Sequence, residues 1–196
     1  HAHLMFPEFK EDLENVIKRA REAGLEKIVN VGCGAESSEL SVKMAKEDGS
    51  NFLYATLGLH PYDALDISDE LLAKWEKWIL EDRSSGRNKI VAIGEIGLDY
   101  FKAKIGHDEQ KKAFRKQLEF AMMVDLPVII HNREADMECL EVLREFVGVR
   151  AVFHCFGSNL EFARKVWEAG FVTSFTGIVT YPNAGQLCGV VKEVPL

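Results

Sequence analysis

Two histidines one residue apart open the chain (His1, His3), and further chemically capable residues each close a short apolar run. These are His60 in GLHP, Glu95 in GEIGLDY, His131 in VIIHNR and His154 in VFHCF, with SFTGIVT ending the series at Thr180. On an extended segment a His-x-His pair puts both imidazoles on one face, since strand side chains repeat every two residues. Two nitrogens can then reach one metal ion; an exposed terminal tail is the alternative. Glu95 lies between two glycines in an apolar run, where a carboxylate must be paired, protonated or bound to metal. Its two oxygens let it bridge two cations, and an Arg or Lys partner is the alternative. His131 and His154 read as ligands or as hydrogen-bonded core histidines. His60 precedes Pro61, which fixes the backbone at the exit of the run; it either donates to a phosphate oxygen or leaving group, or shapes the loop. Glu95 and His60 are thus the candidates for catalytic work. Arg133, two residues past His131, offers a planar fork suited to phosphate oxygens, against a surface ion pair with Glu134 or Asp136. Four imidazoles and a bridging carboxylate suit a pair of divalent ions, which stabilise both the attacking and the leaving oxygen of an in-line phosphoryl displacement. Histidine-rich ligation leans toward Zn²⁺ or Mn²⁺ over Mg²⁺.

Convergence requires elements that aim these ends at one place. Continuous Val/Ile/Leu/Phe runs at 27–33, 52–59, 90–96, 127–131, 150–155 and 171–176 predict strands buried on both faces. Helical spacing fills the gaps. Phe9, Leu13, Val16, Ile17 and Ala20 form one apolar face stopped by Gly24, and Leu71, Leu72, Trp75, Trp78 and Ile79 form another capped by Ser68. Helices are also predicted near 37–48, 109–124, 136–147, 160–168 and 184–193. Alternating strands and helices give an α/β fold with right-handed crossovers. Ligand-type residues on nearly every strand end, and no Gly-rich phosphate loop, favour a TIM barrel over an open doubly wound sheet. Such a barrel usually needs about 250 residues, so the 196 here predict one barrel domain, 1–196, clipped at both ends.

A net charge of −7 gives no footprint for bulk attraction to a phosphate backbone, so a nucleic acid would be gripped locally by metals or a few arginines. The four cysteines, Cys33, Cys139, Cys155 and Cys188, show no C-x-x-C spacing and read as reduced core residues of an intracellular protein. If His154 faces a barrel lumen, Cys155 should face the helices. His107 reads as a solvated loop histidine. No apolar stretch approaches the ~20 residues of a membrane span, and a soluble cytoplasmic monomer is expected.

The segments HAHL, IVNVGC, LGLHPYDA, AIGEIGLDYF, the run from Gln110 through FRKQLEFA to LPVIIHNREA, VFHCFGS, SFTGIVTYPNA and VKEVPL follow one another across essentially the whole chain. In this the sequence resembles the TatD-type metal-dependent deoxyribonucleases of the amidohydrolase-like TIM barrels. The resemblance implies hydrolysis of phosphodiesters in DNA, often from the 3′ end, with two divalent ions (Mg²⁺, Mn²⁺ or Zn²⁺). By motif, His1 and His3 would bind one metal, Glu95 would bridge, and His131 and His154 would hold the second. His60 falls at the position linked to substrate phosphate or proton transfer. VFHCFGSN departs from the family's F-S-G-S order after the cysteine. The family's last strand, L-L-x-E-T-D-x-P, whose aspartate completes the first metal shell, would follow Leu196. Two further readings are a deacylase acting on a carbonyl substrate such as an aminoacyl-tRNA, and a catalytically impaired metal- or partner-binding remnant.

Overall fold

The computed structural model describes residues 1–195. Strands β1 (Ile28–Asn30), β2 (Leu53–Leu57), β3 (Ile90–Asp99), β4 (Val128–Arg133), β5 (Ala151–Phe153) and β6 (Val172–Thr173) lie in chain order in one sheet, every pair parallel. The sheet curls as a TIM-like half-barrel. Its crossovers carry helices α1 (Leu13–Glu22), α2 (Ala35–Glu47), α3 (Asp69–Ser84), α4 (His107–Met123), α5 (Asp136–Arg144) and α6 (Leu160–Glu168), followed by α7 (Gly185–Lys192). The opening segment joins the same sheet: Ala2 bridges Asn30 in parallel, with Ala2 N–H to Val29 O at 3.0 Å and Val31 N–H to Ala2 O at 2.7 Å. His1 and His3 therefore flank a residue in sheet pairing and share a face.

Strand alternation separates two apolar sets. Ile28, Val128, Ile130, Ala151 and Phe153 pack against the helices with Trp75, Phe114 and Leu118, while Val29, Val31, Ala92, Ile129 and Val152 cluster on the opposite face. His131 is two residues past Ile129 and His154 two past Val152, so both continue that opposite face.

Several predicted boundaries move. The helix expected from Phe9 starts at Leu13, because Pro7 opens a separate 3₁₀ turn over Pro7–Phe9. The run 171–176 contributes a strand of only two residues, and Thr180 closes the 3₁₀ turn Gly177–Thr180 with its hydroxyl bonded to Gly177 O at 2.7 Å. Thr180 therefore lies in a turn and not at the end of a strand. Conversely β3 continues three residues beyond the predicted Ile96, to Asp99. The Gly24 stop (φ 85°) and the Ser68 cap, whose Oγ accepts Leu71 N–H at 3.1 Å, form as expected.

Two buried glutamines on α4 hold the strand exits. Gln117 accepts Leu59 N–H (2.8 Å) and donates to Leu59 O (3.1 Å); Gln110 accepts Asp99 N–H (2.9 Å) and donates to Asp99 O (3.1 Å) and Ile105 O (2.9 Å). Each amide side chain acts as a neighbouring strand would, satisfying buried backbone groups at the edge of the ladder.

Candidate metal centre

Glu95 lies at the middle of the constellation, 6 % exposed. Its Oε1 lies 3.1 Å from His131 Nδ1, and its Oε2 lies 3.5 Å from His1 Nε2 and 3.8 Å from His3 Nε2. The glycines around it allow this approach. A side chain at Gly97 (φ 141°) would collide with the carbonyl of His131, its register partner on β4. Ligand atoms of His1, His3 and Glu95 lie within 4.8 Å of one another, as do those of His60, Glu95 and His131. Two potential cation positions therefore share one carboxylate.

The tautomers fit metal binding. His3 Nδ1 lies 2.8 Å from Val31 O, which can only accept, so Nδ1 carries the proton and Nε2 turns a lone pair toward His1, 3.2 Å away, and Glu95. His131 Nε2 is held at 3.0 Å by Asp99 Oδ2, leaving its Nδ1 side for the Glu95 cluster. This carboxylate–histidine relay is the usual arrangement behind a metal-ligating imidazole. The donor set, imidazoles around a buried carboxylate, suits a divalent transition ion.

Charge follows the same geometry. Burial pushes Glu95 up, but the hydrogen bond and charge of His131 outweigh it and leave the carboxyl below its ordinary value. Burial pushes His131 down, yet Glu95 and then Asp99 outweigh it and raise it. Burial, reinforced by His131, lowers His60 to about 4. His60 Nδ1 accepts Tyr62 N–H at 3.2 Å, so the neutral ring carries its proton on Nε2.

His154 lies at the exit of β5, its ring stacked on His1 with centroids 3.4 Å apart and Nδ1 3.5 Å from Ser174 Oγ. It is beside the first histidine pair but outside both three-residue groups. Arg133 lines the same cleft of about 760 Å³ with Glu95, His131, His154 and Asp136. Among the described residues it makes no ion pair with Glu134 or Asp136; its guanidinium lies 4.2 Å over the Phe101 ring. Asn132 and Ser158, also on this wall, both donate to Asp136, Asn132 at 2.6 Å.

Cys155 corrects the expectation that it faces the helices. A positive φ of 49° ends the strand alternation there, and its half-buried Sγ sits 3.0 Å from Thr176 Oγ1 on the cleft wall. Only Cys139 of the four is buried; Cys33 is half-buried and Cys188 exposed. His107 is exposed but structured, opening α4 and stacking on Tyr100 at 3.6 Å. Asp99 is the functional residue that sequence reasoning missed: fully buried, it touches His131 and also accepts from Tyr62 Oη at 3.3 Å.

The chain is similar to known proteins. The family described as TatD related DNase matches residues 1–196. The uncharacterized metal-dependent hydrolase YabD of Bacillus subtilis is 42 % identical over 100 % of this chain and 74 % of its own length. A protein of Pantoea vagans named 3′-5′ ssDNA/RNA exonuclease TatD is 31 % identical over 93 % of this chain and 68 % of its own. Among solved structures, YjjV, a TatD homologue from Escherichia coli, superposes with a TM-score of 0.85 at 31 % identity, covering 100 % of this chain and 73 % of that one. No described helix is long and apolar enough to cross a membrane. The chain belongs to the TatD-related DNase family and is, by that membership, a metal-dependent hydrolase.

Proposed function

We propose that the protein is a nuclease that removes nucleotides from the 3′ end of DNA with a pair of divalent ions. The observation that carries this reading is the single buried carboxylate, Glu95, shared by two groups of imidazoles. It is supported by relatives named as 3′-5′ exonucleases of single-stranded DNA and RNA. His1, His3 and Glu95 would hold one ion and Glu95 with His131 the other, with His154, stacked on His1, a further ligand to the second by the family motif; when bound, the pair would supply Lewis-acid stabilisation of a phosphoryl group and its attacking water.

The protein's own groups position the substrate. Neutral at pH 7, His60 has no proton to surrender as an acid, but its Nε2–H is a donor aimed into the cluster, which suits a hydrogen bond to a phosphate oxygen. This favours phosphate contact over proton transfer. Asp99 fixes the tilt of His131. Arg133, free of a carboxylate partner among the described residues, offers its N–H edge to phosphate oxygens. On the cleft wall, Arg133 is the group that supports a phosphoryl substrate, while Asn132 and Ser158 beside it are engaged with Asp136.

The test is hydrolysis of a single-stranded oligonucleotide carrying a 5′-end label, followed as a ladder of products in Mg²⁺, Mn²⁺ or EDTA. Stepwise shortening from the 3′ end, lost in EDTA, is expected. Folded, metal-loaded protein that leaves the strand intact would turn the reading toward the deacylase or the remnant.

A further inference from the structure

Beside the cleft, against the Arg133 that lines it, stands an aromatic ring with no part in holding metal. Asp99 Oδ1 accepts the N–H groups of Phe101 (3.0 Å), Lys102 (2.6 Å) and Ala103 (3.3 Å), which ties the segment after β3 to the same carboxylate that holds His131. Phe101 is consequently fixed one short step from the metal centre, yet its side chain is not packed away: the residue is 52 % exposed. The Arg133 guanidinium lies 4.2 Å over its ring. That contact occupies the flat face of the fork and leaves its edge for hydrogen bonds. Lys102 and Lys104, both exposed, follow on the same segment. In a chain of net charge −7, an anchored, half-exposed phenylalanine among three cations is a local reversal of character.

We propose that Phe101, backed by Arg133, is the shelf on which the base of the 3′-terminal nucleotide stacks while its phosphate enters the metal centre. This deepens the nuclease reading and rests on it. Aromatic rings and guanidinium planes are the general means by which proteins take hold of unpaired bases, because every base has a π-face. A terminal base within a duplex is held by its pairing partner and by the neighbour beneath it, and must fray before it can turn onto a shelf. The shelf therefore selects frayed or single-stranded ends and is indifferent to base identity.

The experiment compares kcat/KM for a single-stranded oligonucleotide with a normal 3′-terminal base and for the same strand ending in an abasic residue. Wild type is expected to favour the intact end about ten- to hundredfold. Phe101→Ala should bring that ratio close to one, and Phe101→Trp should restore it. A ratio that survives Phe101→Ala, or a variant that loses both substrates in equal measure, overturns the shelf. A second arm uses 2-aminopurine at the 3′ end, bound in EDTA: wild type should quench its fluorescence and Phe101→Ala should not. If wild type cleaves neither strand in any metal, the nuclease reading fails, and the metal-free quenching still decides the stacking on its own.

Discussion

Because one oxygen of Asp99 gathers the loop amides of Phe101, Lys102 and Ala103 while the other meets His131 Nε2 and Tyr62 Oη, its loss should disturb chemistry more than folding. Asp99→Asn, which keeps the size but not the two acceptors, is expected to lower metal affinity or kcat about 10- to 100-fold, read by metal titration alongside turnover. Glu95→Ala should abolish metal-dependent cleavage, since both cation positions lose their shared ligand; retained activity at unchanged metal content would refute the bridging role. His131→Ala should lower the occupancy of one ion and leave the other, a difference that elemental analysis resolves. Glu95 and His131 were legible as candidates because each is a costly residue in an apolar setting, and the opening histidines because their alternate spacing puts both on one face. Asp99 stands in plain sight in GEIGLDY, four residues past Glu95 and so on the same strand face. It was missed because the apolar run fades at Ile96, where an apolar pattern no longer marks a strand. The Glu95–His131 bond depends on the β3–β4 register, which no local pattern encodes.

At the scale of elements, the helices and strands were readable from periodicity, whereas the clips that hold them were not. Gln110 and Gln117 look like an ordinary polar helix face in sequence, and only the packed structure shows them buried against strand exits. Gln117→Leu is expected to cost about 2 kcal/mol or more, because the buried N–H and C=O of Leu59 would each lose a partner; denaturant unfolding measures it. A midpoint unchanged from wild type would mean that water replaces the amide. Ser68→Ala at the start of α3 should cost about 1 kcal/mol, a smaller loss at a solvent-facing cap. Asn159 caps α6 in the same way, accepting Phe162 N–H at 2.9 Å. The length of β6 was the least legible feature: its apolar run promises a full strand, but exposed Val172 pairs only with β5.

For the whole molecule, stability and charge are governed by different places. Lys89, 3 % exposed, donates to Asp48 Oδ2 (3.4 Å), Asp48 O (3.3 Å) and Leu53 O (3.2 Å). Burial pushes Asp48 up, but hydrogen bonds from Ser50, Leu53 and Phe52 outweigh it and hold the carboxyl well below the usual carboxylate range. Its contribution is therefore complete at neutral pH, begins to erode as pH falls through the ordinary carboxyl value of the unfolded chain, and is gone below the depressed folded value. Asp48→Ala should cost about 3–5 kcal/mol by stranding a buried ammonium, and should flatten the acid limb of a stability–pH curve. Binding of single-stranded DNA should show a shallow salt dependence, with a slope near −2 if about three cations meet phosphates; a much steeper slope would require more basic contacts than a chain of net charge −7 leads one to expect. The sheet order has a consequence for biosynthesis. Since β1 to β6 lie side by side in the order in which they are made, each new strand leaving the ribosome finds its partner already in place. Among the described strands no early one waits for a late one to pair with it, and the candidate residues from His1 to His154 are all present once His154 emerges.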